Sequence, residues 1–248
     1  VIRRRDLLGA ALILLVAWQI LAWVLRVDIL PGPWAVGQAL VTEIPRGLGM
    51  DFLVSAWRVI ASIAISMLVA VPAGLALGQS QQLNRLFSPM VYILYPIPKI
   101  VFLPIILLFL GIGNNSKIFI IFLILFFQIL VVVRDHASTL RPELIYSVRS
   151  LGAGRRALFR FVYLPATVPA ALTALRVGVG TAIAVLFFAE SFATTSGLGY
   201  YIIVESWGRL AYPQMYAGVI AMSALGLLLY FVIDGLERRL APWLYVKD

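Results

Sequence analysis

The chain has 248 residues, 62% of them hydrophobic and 12% charged, with a mean hydropathy of +0.99 and a formal net charge of +9. Soluble domains are roughly half apolar and a quarter charged, so this composition excludes one and describes a polytopic membrane protein. Cysteine is absent, which removes disulfides and thiolate metal sites from the fold and from any chemistry.

An apolar run from Leu7 to Leu25 follows Arg3, Arg4, Arg5 and Asp6. Adjacent arginines ahead of an apolar segment also describe a secretory or twin-arginine signal. This run is long enough to cross a bilayer, and Val24 to Asp28 lacks the small-residue cleavage pattern, so it reads as a retained first span. The interval from Leu30 to Ser55 is polar and carries Pro31, Gly32, Pro33 and Pro45. A short helix is expected over Pro33 to Glu43 with Pro33 in its first turn, and the Leu40, Ile44, Leu48 spacing would rest it on the membrane surface. The second span runs from about Ala56 to Leu77 and contains Pro72 and Gly74, a place for a kink.

Gly78 to Asn84 reads as a short polar turn. The third span, Phe87 to Leu110, is interrupted by Pro89, Pro96, Pro98 and Pro104 and carries Lys99. Each proline removes a donor and strains the preceding turn, so this span should be irregular and shielded by other helices. A fourth span is expected from about Ile118 to Val133, a fifth from about Pro169 to Ala189 ending on Glu190, and a last from about Met215 to Ile233. Between the last two, the glycine- and hydroxyl-rich run Thr194 to Tyr201, followed by Ile202, Ile203 and Val204, is too short to cross and suits a re-entrant or interfacial segment.

About six spans result, and the charges orient them. Arg3, Arg4, Arg5, Arg85, Arg134, Arg141, Arg149, Arg155, Arg156, Arg160, Arg238, Arg239 and Lys247 fall on one side, against Arg26, Arg46, Arg58, Lys117 and Arg209 on the other. By the positive-inside rule both termini are cytoplasmic. The same bias accounts for the net charge through lipid headgroups and calls for no nucleic acid.

Catalytic chemistry has little to stand on. His136 is the only histidine, the acidic residues are scattered singly, and no phosphate-cradling loop is present. The chain is therefore not an enzyme, and any energy for pumping arrives through a partner.

Glu143 to Pro165 is the basic, water-facing exception. Glu143 to Leu151 has helix formers with Leu144, Val148 and Leu151 on one face, Gly152 breaks the pattern, and Arg155 to Val162 resumes it until Pro165. That reads as a helix, a turn and a helix, with Val148, Leu151 and Phe159 supplying an apolar face for a cleft on a soluble partner. The spacing resembles the "EAA" signature of ABC importer permeases: Glu-Ala-Ala, a fixed Gly, then an aliphatic residue shortly before Leu-Pro. It falls on Tyr146-Ser147-Val148, Gly152, Val162 and Leu164-Pro165. The Gly and Leu-Pro match, and the Glu-Ala-Ala does not. Pro96 to Ile118 and Ser150 to Tyr201 also resemble the nitrate/sulfonate/taurine-type branch of this family.

The resemblance implies an all-α membrane protein of the type I ABC importer kind, a single permease domain over residues 1–248 with a cytoplasmic coupling loop at about 135–166. It implies a homodimer in the bacterial cytoplasmic membrane, two ATPase subunits that bind ATP and Mg in place of any cofactor in this chain, and a periplasmic or lipoprotein substrate-binding protein. Leu164-Pro165 would anchor the second short helix. Glu143 or Arg149 would compensate for the missing motif Glu, and Tyr146 would serve as an aromatic anchor. The branch handles nitrate, sulfonates, taurine and bicarbonate, but also some uncharged or cationic nutrients.

Two membrane-level charges are further candidates. Lys99 either satisfies carbonyls freed by Pro96 and Pro98 or lines the path of a small anion. Glu190 either caps the segment after it or faces water. In the competing reading, an ion-coupled secondary transporter, Glu190 is the proton or cation site.

Overall fold

The computed structural model describes residues 4–192 and 194–244; Arg3 and Lys247 lie outside them, as do the side chains of Arg4, Arg5 and Arg155. Among the described residues all regular structure is helical. In chain order the helices are α1 (Arg4–Leu25), α2 (Pro33–Glu43), α3 (Leu48–Gln79), α4 (Gln81–Leu94), α5 (Leu103–Leu110), α6 (Asn114–Ser138), α7 (Pro142–Ser150), α8 (Arg155–Leu158), α9 (Leu164–Ser191), α10 (Leu198–Tyr200) and α11 (Tyr212–Leu240). Four helices are long and apolar enough to cross a membrane, namely Leu48–Gln79, Asn114–Ser138, Arg156–Ser191 and Tyr212–Leu240, and a fifth crossing results if α4 and Lys99–Leu110 count as one broken span. The expected first span is shorter in its apolar part, Gly9–Leu25.

The chain groups into two compact units, Val1–Ser55 with Glu190–Ala224, and Ala56–Ala189 with Leu225–Asp248. In the second unit α3 and α6 form a close seam. Ser62 Oγ donates to the Arg58 carbonyl of its own helix and lies 3.0 Å from the Ile118 carbonyl oxygen, and Ser66 Oγ donates to the Ser62 carbonyl and lies 3.3 Å from the Phe122 carbonyl oxygen, one helical turn apart on both helices. Farther along, a Cβ on Gly74 would stand 2.9 Å from the Leu130 carbonyl oxygen, and one on Gly78 would stand 2.6 Å from Ala137 Cβ. Small residues at this spacing let two backbones approach where lipid supplies no hydrophobic drive between helices. Gly74, read from the sequence as part of a kink, thus serves contact, and Pro72 lies inside α3 without ending it. Arg58 is 2% exposed with its Nε on Asn114 Oδ1 at 2.9 Å, and Lys117 is fully buried, so neither of these two charges of the less basic side is a loop residue.

The third span departs most from a straight helix. The expected turn at Gly78 to Asn84 shrinks to Ser80, whose hydroxyl caps α4 by accepting the Leu83 N–H, and Pro89 sits inside α4. The chain then breaks at Pro96 and Pro98 with an 80° bend before a 3₁₀ turn, Lys99–Phe102, leads into α5. Shielding by other helices of this chain does not occur at the tip, where Leu108 is 85% and Phe109 84% exposed. The broken backbone is instead satisfied locally, by Lys99.

In the first unit α2 spans the expected residues with Pro33 in its first turn. The surface-resting face is not formed as expected, because Leu48 is buried and opens α3 while Ile44 is 51% exposed. Trp18 of α1 stacks on Tyr216 of α11 with centroids 5.9 Å apart. The segment after α9 is a short helical hook, α10 followed by a π-turn Tyr201–Ser206 and a 3₁₀ turn Trp207–Arg209, which ends on Leu210 in the left-handed region. It is short, as its length implied, and it packs on α11, since a Cβ on Gly218 would meet Ile202 Cγ1 at 2.7 Å.

Pro165 does not stop the second hairpin helix. Residues Phe159–Tyr163 wind as a π-turn and Leu164 donates to the Phe159 carbonyl, five residues back, so the helix runs on into α9. Proline has no N–H for the carbonyl four residues before it and its ring crowds that oxygen. The wider π register relieves both conditions without a break.

Candidate functional site

The hairpin between α6 and α9 is built around one glycine. Gly152 has φ +83°, its N–H reaches the Arg149 carbonyl at 2.9 Å, and the Ala153 N–H reaches the Val148 carbonyl at 3.3 Å. These two bonds form a Schellman stop for α7, a conformation that a Cβ would strain. Leu151 at the turn is 86% exposed, Tyr146 65%, Leu144 52% and Phe159 44%, while Val148 is half-buried and Leu158 and Val162 are buried beneath. The tip is therefore held from below by Leu158 and Val162, and Tyr146, Leu151 and Phe159 project outward. Glu143 is exposed at the first turn of α7, and Ser147 Oγ is occupied by the Glu143 carbonyl at 2.8 Å. Arg149 is exposed in the last turn of α7, and Leu164 and Pro165 are half-buried at the start of α9.

Lys99 is 8% exposed. Its ammonium donates to the Leu94 carbonyl at 2.8 Å and the Tyr95 carbonyl at 2.6 Å, and it lies 4.5 Å from the centre of the Phe127 ring. It borders a cavity of about 340 Å³ whose wall also includes Tyr95, Gln128 and Thr181. Buried Gln128 Oε1 has no hydrogen-bond partner and would stand 2.9 Å from a Cβ on Gly178. A cation, an amide and a hydroxyl on an otherwise aromatic and aliphatic wall can attract a small polar solute and orient it.

Glu190 lies in the other unit and is fully buried. Ser55 Oγ lies 2.9 and 2.8 Å from its two carboxylate oxygens and accepts the Leu198 N–H at 2.8 Å. The Gly199 N–H donates to Glu190 Oε2 at 3.0 Å, and the Gly197 N–H to Asp51 Oδ1 at 2.6 Å. The hook that follows α9 is thus fastened to the first turns of α3 by backbone donors on side-chain oxygens. Glu205 on that hook has its carboxyl held above the usual carboxylate range, first by burial and then by the Asp51 carboxylate, with Arg209 opposing. Burial and the nearby Glu43 carboxylate push the Tyr201 phenol up to about 12.

Sequence reasoning missed Ser55 and Asp51 as partners of this hook, Gln128 and Thr181 beside Lys99, and the ion pairs of Arg176. The last side chain meets Asp234 at 3.3 Å and Glu237 at 2.8 Å, and Thr173 Oγ1 also donates to Glu237. The available signal was polar residues at helical spacing inside apolar helices, which in a bilayer mark buried contacts. Among the described residues no group of three or more acidic, histidine or cysteine side chains is arranged to hold a metal.

Residues 66–244 match the family model described as the binding-protein-dependent transport system inner membrane component. The chain is 31% identical to the taurine transport system permease protein TauC of Escherichia coli strain K12, over 95% of this chain and 88% of that protein. It is 32% identical to a putative ABC transporter permease of Methanocaldococcus jannaschii, over 92% of this chain and 88% of the relative. It is 25% identical to the nitrate import permease protein NrtB of Synechococcus elongatus, over 93% and 87%. Its fold is similar to a chain of the inward-facing MetNI methionine ABC transporter, with a TM-score of 0.64 over 78% of this chain and 95% of that one, at 21% identity.

Proposed function

Because the chain belongs to the binding-protein-dependent inner-membrane permeases of ABC importers, a transport subunit whose ATP is bound by a partner ATPase, we propose that hairpin α7–α8 is the joint through which nucleotide-driven closure reaches the membrane. The observation that carries this reading is the exposed apolar tip, Tyr146, Leu151 and Phe159, on a turn stiffened at Gly152. An apolar knob on a rigid turn fits a cleft on a soluble subunit and passes on a rigid-body movement. Glu143 and Arg149 flank the tip, and one or the other takes over the polar contact of the absent motif Glu. Leu164 and Pro165 tie the second helix to α9.

In this reading both units form one permease domain with its loop at about 135–166. Two copies work as a homodimer with two ATPase subunits and a binding protein, and both termini and the hairpin face the cytoplasm. The substrate is a small solute that carries an anionic group, as the sulfonate of taurine and nitrate itself do in the names of the relatives. The positive charge of Lys99 on its cavity supports an anion, and the clamp around Glu190 supports a structural role for that residue beside any role along the path.

The test is Leu151→Asp in the assembled transporter. Leu151 is almost fully exposed, so the substitution leaves folding and insertion intact while placing a charge in the cleft. Recovery of the ATPase with the permease is expected to fall about tenfold or more, the effect of one truncated interface anchor. Normal recovery together with normal uptake would remove the hairpin as the joint.

A further inference from the structure

We propose that the cleft between α4 and the C-terminal end of α6 binds one anionic phospholipid, its phosphate between Arg85 and Arg134 and an acyl chain along Tyr92. A pocket of about 520 Å³ lies there, lined by Asn84, Arg85 and Ser88 from α4 and by Arg134 and Ser138 from α6. A second pocket of about 330 Å³ shares Tyr92 and Arg134 with it and continues along Val91, Pro96 and Val131. A polar mouth thus opens into an apolar trough. The mouth stands where the apolar run of α6 ends at Val133 and gives way to Arg134, the level at which hydrocarbon meets headgroups.

The charges fit a phosphodiester. Arg134 Nη2 lies 2.8 Å from Asp135 Oδ1 and Nη1 lies 3.5 Å from Ser88 Oγ. Asp135, also on the wall of the pocket, offsets one positive charge, and among the described residues Arg85 makes no ion pair. One positive charge therefore remains for one phosphate. Both serine hydrogens are spent within their helices, Ser88 on Asn84 Oδ1 and Ser138 on the Asp135 carbonyl. Arg85, Arg134 and the Asn84 amide remain as donors to phosphate oxygens, and guanidinium is the side chain best shaped for them. Free phosphate shares this chemistry, but it leaves the trough unused, whereas a lipid fills both parts. Basic pockets between membrane helices at the headgroup level recognise anionic lipids on these grounds.

The experiment uses the complete transporter purified in mild detergent, offered equal amounts of dioleoylphosphatidylglycerol and dioleoylphosphatidylcholine, with bound lipid counted by native mass spectrometry. Phosphatidylglycerol should be retained in preference, and Arg85→Gln should lower its retention about fivefold, the worth of one basic residue at a membrane surface. Val131→Trp fills the trough without touching the arginines and should lower retention of both lipids. Equal retention of the two lipids by the parent protein, or unchanged retention in Arg85→Gln, overturns the proposal. Full displacement of the lipid by inorganic phosphate, with Val131→Trp having no effect, assigns a soluble-phosphate site and also overturns it. If Arg85→Gln does not assemble, the parent's lipid preference and the Val131→Trp result decide.

Discussion

Lys99 Nζ lies 2.8 Å from the carbonyl oxygen of Leu94, whose helical donor would be residue 98, a proline. The side chain supplies the hydrogen bond that its own neighbour in sequence removed, and it also donates to the Tyr95 carbonyl at 2.6 Å, where the chain has left the helix. A cation at membrane depth costs about 2.5–3.5 kcal/mol on insertion scales. Two charge-assisted bonds and the Phe127 ring face offset that cost, and the 80° bend is held in one geometry.

Lys99→Met should take this charged donor from the Leu94 and Tyr95 carbonyls and destabilise the assembled permease by about 2 kcal/mol. Lys99→Gln keeps one donor group and should lose less. Measuring anion uptake, ATPase activity and complex yield in reconstituted transporters separates scaffold from path. Uptake per ATP hydrolysed should fall in both variants. If it stays at the parent level while only yield drops, Lys99 is a scaffold residue and the anion preference loses its support in this chain.

Gly78→Val should separate the end of α3 from the end of α6. A Cβ there would stand 2.6 Å from both Ala137 Cβ and the Arg134 carbonyl oxygen, backbone and near-backbone atoms that cannot rotate away. Overpacking of this kind costs about 1–3 kcal/mol. A lowered thermal midpoint of the purified complex checks it, and Gly235→Val, where a Cβ would meet nothing within 4 Å, is the control that should leave the midpoint unchanged.

Glu190→Ala should loosen the hook after α9, because Ser55 and the Gly199 N–H lose their acceptor inside a buried site, at about 1–3 kcal/mol per unsatisfied group. Glu190→Gln retains an acceptor oxygen and should largely preserve transport. Limited proteolysis between residues 191 and 211 reads the first effect and uptake the second. A stable Gln variant that does not transport would show that the charge itself is needed.

Reporter fusions after Ser80 and Arg156 should report cytoplasm, and fusions after Glu43, Asn115 and Ser206 the outside. The burial of Arg58 and Lys117 sharpens this expectation, since it leaves Arg26, Arg46 and Arg209 as the loop charges of the second side. An external signal at Arg156 would place the hairpin away from the ATPase.

Much of the candidate site was legible because its cues are local. Gly152 marks the turn because few other residues take a positive φ, and Leu151 and Tyr146 mark the tip because apolar residues in a basic, polar stretch need a partner. Pro165 misled, because a proline reads as a helix end when only hydrogen-bond rules are considered. A π-turn next to it is a second solution that sequence does not announce. The shielding expected around Leu108 and Phe109 is likewise not provided by this chain's own helices.

Composition, charge asymmetry and the hairpin spacing by themselves determined an all-helical membrane subunit with an exposed apolar hairpin tip, since hydropathy, φ preference and apolar periodicity act over a few residues. Only the tertiary structure decided that Lys99 answers Leu94 and Tyr95, that Glu190 and Asp51 fasten the hook through Gly199 and Gly197, and that Gly74 and Gly78 admit α6. Those choices depend on which polar atoms and bare backbones meet inside the fold, where an unmade hydrogen bond or an extra carbon costs about 1–3 kcal/mol and leaves no periodic trace in the chain.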